Sequence, residues 1–416
     1  MITSAIFWGV LLGGAVVYWL LPRWREQFLF VLSAGYVAYL DYKVALWLLG
    51  FSVLSYYSTQ KLDQKFKYMS LIPAFGVGAY LAFYKYIPPI LAQATHKASG
   101  KGAATFVVPL GASYFTFKII HYVIECRRGH MKPHKVEQFL SYMFFLPMYT
   151  AGPIERFDEY LKNRTDKVSF DLVARGGTRI VYGLIKKFVV VDLILNRHAS
   201  PTRVWEAVPL VMPSYAIDKL VPKLATISPV YVWQFCINHF IGWYLDFSAY
   251  CDIAIGLGLL FGIKLVENFE WSFLVTNVSD FWKRYHISLS NWAQRYVYFP
   301  MLGWTRNAQL ALFATMIMIG LWHAGNLNYL AWGTYQACLL SLNLVWTRYK
   351  RRRIGREEDG SPFNKLVEHP VFGFAGGIVT ALGICASSAL PSTQAYGLVT
   401  GLRVLGALVG IHVHTH

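Results

Sequence analysis

The feature that most limits what this chain can fold into is a run with nothing charged in it. LALFATMIMIGLWH (310–323) is almost wholly apolar until it closes on a tryptophan and a histidine. Comparable apolar runs recur along the chain, and the basic residues fall between them in short loops: PRWRE (22–26), KLDQKFK (61–67), RRGHMKPHK (127–135) and RYKRRRIGREED (348–359). That alternation is the signature of a polytopic membrane protein obeying the positive-inside rule. Hydrophobic residues make up 55% of the 416 and charged ones 15%, too apolar a balance for a soluble domain of this size. The formal net charge of +17 therefore reports topology before it reports a partner, and no nucleic-acid ligand is expected.

Loop charge orders the spans. Segment 5–21 has no basic residue before it and no A-x-A-like site after it, so it reads as a retained first span rather than a signal peptide. Asp41, Tyr42 and Lys43 divide 28–58 into two short helices, and a fourth span over 69–87 is expected to stop at Pro88 and Pro89. Residues 90–103 read as an outer loop, and 105–125 re-enters. The apolar segment 136–152 has basic flanks on both sides and the breaker AGP (151–153), a pattern for a re-entrant element beside a cavity. A span over 180–196, an outer loop over 199–229, an interfacial region over 264–306, an out-and-back pair over 308–325 and 327–347, and final spans over 371–390 and 395–411 complete the order. The expected fold is all-α: a polytopic integral membrane protein of about 10–11 transmembrane helices, with re-entrant and interfacial helices around a central cavity. It forms a single membrane-embedded domain over 1–416. The five cysteines lack metal-binding spacing and read as free thiols, no metal site is expected, and HVHTH (412–416) reads as a frayed tail.

Two histidines fall in one aromatic and apolar neighbourhood. His323 ends the uncharged run, where an ionised side chain is costly to solvate; it is either a functional group or a neutral imidazole satisfied by a nearby carbonyl. His286 stands among Lys283, Arg284 and Tyr285, a setting that fits a solvated interfacial face as well as chemistry. Between Val230 and Ile263, Asn238, His239, Asp246 and Asp252 either bond across helix contacts or line a polar route. On loop charge alone His323 lies towards the outer side and His286 towards the inner side.

The runs YLDFSAYCDIAIGLGLLFGIKLVENFEWSF (244–273), DFWKRYHISLSNW (280–292), YVYFPMLG (296–303) and GLWHAG (320–325) closely resemble signature segments of the membrane-bound O-acyltransferase family. VPLGASYFTFKIIHYVIECRRG (108–129) and AGPIERF (151–157) resemble two further segments, in the same order, of its alginate O-acetyltransferase branch. The resemblance covers a signature core of about 105–335. It implies that His323 matches the family's catalytic histidine and His286 its second signature histidine, on the channel to the active centre. Asp246, Asp252, Asn268, Trp282, Arg284 and Trp322 fall on motif positions and are substrate-channel candidates or structural. Departures occur at Lys118, Tyr285, Gln294, Arg295 and Ala324, and they leave the acyl group and acceptor open.

The resemblance implies an enzyme of the bacterial cytoplasmic (inner) membrane, multi-pass and surrounded by lipid. Its donor would be acetyl-CoA or an acyl-carrier thioester, with no bound cofactor. Its acceptor would be an extracytoplasmic polysaccharide, reached through a periplasmic or extracellular acyltransferase partner. D-alanyl transfer from a carrier protein to a cell-wall polymer is the enzyme alternative, and a secondary transporter the alternative from another class, although no inverted repeat is visible. The chemistry suits the residues: an imidazole in an apolar setting is available unprotonated as a general base, which favours direct transfer to a hydroxyl over an acyl-enzyme.

Overall fold

The computed structural model describes residues 2–60, 68–94, 111–195, 228–354 and 361–411. The expected elements at 61–67, most of 90–103 and of 199–229, and the tail 412–416 lie outside the described residues. Regular structure among the described residues is helical, with only two isolated backbone bridges, Arg164 to Ile263 and Phe269 to Tyr285. The chain divides into two compact units: Met1–Leu184 with Ala249–Glu267, and Ile185–Ser248 with Asn268–His416.

The first unit opens with α1 (Ala5–Leu20), α2 (Arg25–Leu40) and α3 (Tyr42–Gln60). The expected break at 41–43 is present, and its cause is local. The Asp41 carboxylate accepts the Lys43 and Val44 amides at 2.9 and 3.1 Å, capping α3 as α2 ends. α4 (Leu71–Ala94) corrects the sequence expectation, because its backbone stays helical through Pro88 and Pro89. A proline removes one helical donor and can be carried where neighbours permit, so the pair does not end this helix. α5 (Ala112–Arg127) and α6 (Val136–Phe144) follow, and then a 3₁₀ turn at Leu146–Met148. The 136–152 segment is thus a nine-residue helix and a turn, far short of a crossing, and it stops at Phe144 rather than at AGP. α7 (Phe157–Lys162) and α8 (Phe170–Leu184) complete this run, and α8 continues as π-helical turns over Ile185–Leu195. The span expected at 180–196 therefore begins some ten residues earlier than its apolar stretch suggested.

This unit buries an aromatic core. Tyr122, Phe139, Tyr142, Phe157 and Tyr160 are fully enclosed, with Tyr122 and Phe139 ring centroids 4.1 Å apart. Two of its buried charged side chains bond to backbone. Lys118 donates to the Tyr142 and Met143 carbonyls at 3.0 and 3.3 Å, closing the C-terminal end of α6. The Glu155 carboxylate accepts the Val266 amide at 2.6 Å, and burial pushes its pKa up to about 7. α9 (Pro229–Leu260) is one unbroken helix of 32 residues, which gives its first part to the second unit and its last part to the first. Within the first unit Gly176 and Gly183 of α8 lie directly on the α9 backbone: a Cβ at Gly183 would stand 2.6 Å from the Ala249 carbonyl oxygen.

The second unit carries short helices over the expected interfacial stretch: α10 (Val278–Arg284), α11 (Ile287–Ala293), a π turn at Gln294–Tyr298 and α12 (Phe299–Thr305). α13 (Ala308–His323) and α14 (Leu327–Ile354) form the expected hairpin. Asn307 caps α13 by accepting the Gln309 and Leu310 amides, and Asn326 accepts the Tyr329 amide at 3.0 Å at the start of α14. α14 runs on through the arginines of RYKRR to Ile354. α15 (Pro362–Glu368), α16 (Pro370–Ser387), α17 (Ala389–Ser392) and α18 (Gly397–Ala407) close the unit. The crossing expected at 395–411 is corrected, since α18 has 11 residues and spans only about 16 Å at 1.5 Å per residue. Among the described residues one stretch, Pro370–Ser392, is both long and apolar enough to cross a membrane alone; Ala5–Leu20 and Ala308–His323 are shorter apolar helices. All five cysteines are free.

The hairpin is held by glycine. Gly320 of α13 faces the Tyr329 carbonyl and Gly333 of α14, while a Cβ on Gly333 would stand 2.5 Å from the Met316 carbonyl oxygen and 3.1 Å from the Ile317 Cα. Both obstacles are backbone, so Gly333→Ala should destabilise the protein by about 1–3 kcal/mol. Gly303→Ala, with nothing within 4 Å of the new Cβ, should be neutral. Thermal unfolding in detergent micelles compares the two; equal midpoints would contradict the close approach.

Candidate active site

His286 occupies a backbone position that few residues accept. It joins α10 to α11 at φ 48° and ψ 51°, in the left-handed region that costs a non-glycine residue about 1–2 kcal/mol. Its own side chain makes no cap for α11. The cap comes from elsewhere in the chain: Asn268, fully buried, accepts the Ile287 amide on its carbonyl at 3.1 Å and the Ser288 amide on its side-chain oxygen at 3.0 Å. On the other side of His286 the Glu270 amide donates to the Arg284 carbonyl at 3.0 Å, and the Ser272 hydroxyl to the same oxygen at 2.6 Å. The segment 268–272 thus grips the backbone before and after the histidine, and those bonds offset the strain.

His323 is placed by the hairpin. It is the last residue of α13, whose C-terminal amide at Ala324 bonds the Gly320 carbonyl at 3.2 Å. Its imidazole stacks on Tyr329 at 5.7 Å, meets Trp332 edge-on at 5.6 Å and lies 4.7 Å from Trp322. Trp322 in turn lies 6.2 Å from His286, which also packs against Phe247 at 4.6 Å. The two histidines therefore meet at a single indole. They share one aromatic neighbourhood, as their sequence setting led one to expect. The π turn and α12 pack along α13.

Their environments differ. His286 is 3% exposed, and burial, with the neighbouring His323 second, holds its imidazole well below the ordinary histidine pKa. It is neutral near pH 7, and its buried Nε2 has no hydrogen-bond partner among the described residues. His323 is exposed. Burial was expected at His323 and is found at His286, because a residue at the end of a helix keeps an open side.

The remaining sequence candidates separate. Trp322 belongs to the cluster, and Trp282 joins it, its ring 6.2 Å from Trp332 and 6.0 Å from Tyr285. Asn268 acts on the backbone as described. Arg284 is tied to Asp280 at 3.1 Å and serves mainly through its carbonyl. Asp246 is bound by Lys187 at 2.6 Å, which also reaches Asp192 at 3.2 Å. Asp252, in the first unit, is bound by Arg179 at 2.6 Å, and Arg179 also pairs with Glu267. Each aspartate thus shares a cation from α8 or its π extension with a second carboxylate. Arg179 and Glu267 line a cavity of about 680 Å³ in that unit, together with Arg164, Arg175, Leu172 and Leu259. Tyr329, Trp332 and Phe247 were missed; the first two stand three apart and so share one face of a helix, a signal the sequence did carry.

A protein-family model described as MBOAT, membrane-bound O-acyltransferase family, matches residues 44–354. A probable alginate O-acetylase of Pseudomonas aeruginosa is 29% identical over 341 residues, 76% of this chain and 61% of that protein. A peptidoglycan O-acetyltransferase of Helicobacter pylori is 26% identical over 370 residues, 80% of this chain and 66% of the relative. A teichoic acid D-alanyltransferase of Streptococcus thermophilus is 26% identical over 277 residues, 62% of each chain. The chain thus spans under two thirds of the length of the alginate O-acetylase it matches.

The grip on His286 is testable without any assay of activity. Asn268→Ala leaves the buried Ser288 amide without its acceptor and should cost about 1–3 kcal/mol. Chemical unfolding in micelles measures it, and an unchanged midpoint would count against the role given to Asn268.

Proposed function

The chain belongs to the membrane-bound O-acyltransferase family, and from that premise we propose that it moves an acyl group, most simply acetyl, from a thioester to a hydroxyl. The donor is acetyl-CoA or an acyl-carrier thioester presented from the cytoplasm. The acceptor is an extracytoplasmic polysaccharide or a partner acyltransferase that relays the group to it, at a bacterial inner membrane the chain crosses many times. The convergence of His286 and His323 on Trp322 is the observation that carries this reading. Names of the relatives support an acyl group destined for a polymer, and the D-alanyltransferase among them keeps D-alanyl transfer as the second reading.

In this reading His323 is the general base. It is exposed, so a hydroxyl can reach it, and the aromatic rings around it fix its orientation and limit competing water. His286, neutral and enclosed, borders the same space and positions or relays. As the hydroxyl oxygen attacks the acyl carbon, its proton passes to His323. Collapse expels the thiolate, which takes the proton back, so ester and free thiol are the products and the imidazole is restored. The ion pairs at Asp246 and Asp252 hold helices rather than touch substrate.

Protein in nanodiscs supplied with radiolabelled acetyl-CoA and a polysaccharide acceptor tests the assignment. His323→Ala should lose about 10²–10⁴ of the transfer rate at unchanged stability, the range for a lost general base. His286→Asn, which tolerates the left-handed backbone, should fold yet transfer more slowly. Full activity in His323→Ala would remove the base assignment; use of a D-alanyl carrier thioester but not acetyl-CoA would move the conclusion to the second reading.

A further inference from the structure

The rings around the histidines close on themselves. His286 touches Trp322 (6.2 Å), Trp322 touches His323 (4.7 Å), His323 touches Trp332 (5.6 Å), Trp332 touches Trp282 (6.2 Å) and Trp282 touches Tyr285 (6.0 Å), the chain neighbour of His286. On this circuit Nε2 of His286 and Nε1 of Trp282 are buried with no hydrogen-bond partner among the described residues. Trp282 is 8% exposed and sits in α10, with its helix start fixed by Asn277 and its neighbour Ser279 bonded by Asn343. A buried indole N–H ordinarily finds a partner, because leaving it unmade forfeits its hydration. One unpaired donor in a tightly packed core could be a local fault. Two unpaired nitrogens on one closed circuit of aromatic rings, which also carries the exposed His323, point to a polar guest.

We propose that Trp282 is a catalytic residue whose Nε1–H donates to the carbonyl oxygen of the transferred acyl group; this rests on the acyl-transfer reading above. In the ground state the indole orients the thioester carbonyl. When the acceptor oxygen bonds to the acyl carbon, the C=O π pair moves onto oxygen and the hydrogen bond strengthens as negative charge gathers there. The acceptor proton goes to the imidazole. The pair then re-forms C=O, the C–S bond breaks, and the thiolate recovers the proton. An N–H held in a dry aromatic setting needs no reorganisation to serve a developing oxyanion, and loss of one such donor typically lowers turnover by about 10²-fold.

Trp282→Phe keeps the ring and removes only the donor. The decisive measurement is isotope-edited infrared spectroscopy of [1-¹³C]acetyl-CoA bound to His323→Ala protein in nanodiscs, compared with the His323→Ala/Trp282→Phe double variant. The single variant should show the thioester carbonyl band shifted to lower frequency than free acetyl-CoA, and the double variant should bind with the band at its free position. Trp282→Phe alone should lower kcat by about 10²-fold with KM for acetyl-CoA little changed. An equal shift in both variants overturns the assignment while leaving the acyl-transfer reading in place. Absence of any bound carbonyl band in either variant, with wild type inactive on acetyl-CoA, overturns the acetyl-donor reading and this assignment with it.

Discussion

The candidate site depends on a backbone constraint at one residue. His286 can lie in the aromatic ring only if its peptide turns through the left-handed region, and a histidine does not stay there unaided. Asn268 supplies what is missing by accepting the first amides of α11, and residues 270 and 272 bond the carbonyl on the far side. The His286 imidazole is thus placed by a residue that bonds the backbone immediately after it. The energy involved is of the size of a few hydrogen bonds, roughly 1 kcal/mol each, yet it fixes which atoms of α10 and α11 face inward.

Much of this was legible. The break at 41–43, the short helix in place of a crossing at 136–152, the interfacial run of short helices and the α13–α14 hairpin all follow from charge, breakers and apolar length. The failures share a cause. At Pro88 and Pro89, at 180–196 and at 395–411 a local signal was read as a boundary, whereas helix ends are decided by which backbone groups find partners in the folded chain. His323 and His286 were both identified, but the burial expected of His323 is found at His286, which the sequence leaves open between a solvated face and chemistry. Apolar neighbours in sequence surround a helix interior, and His323 is not in one. Asn268 was noticed as a motif position, but its role depends on reaching residue 288 across twenty positions, a distance that periodicity does not encode.

The polar residues of α9 show how a motif can mix purposes. Asp246 and Asp252 lie in one signature run, and each is matched by a cation eight positions apart on α8 and its π extension, Lys187 and Arg179. Side chains of that kind in an apolar helix invite a catalytic or channel role. In this structure each is bound by a cation within its own unit, while Nε2 of His286 and Nε1 of Trp282 are buried with no hydrogen-bond partner among the described residues.

Gly320 and Gly333 bring two backbones into direct apposition, with no side-chain layer between α13 and α14. Side chains can exchange rotamers and let one helix roll over another; peptide planes in contact cannot. The hairpin is therefore a single kinematic body. Any opening of the ring must carry Trp322, His323, Tyr329 and Trp332 together, so it would part at its junctions with α10 and the His286 turn while the geometry around His323 travels intact.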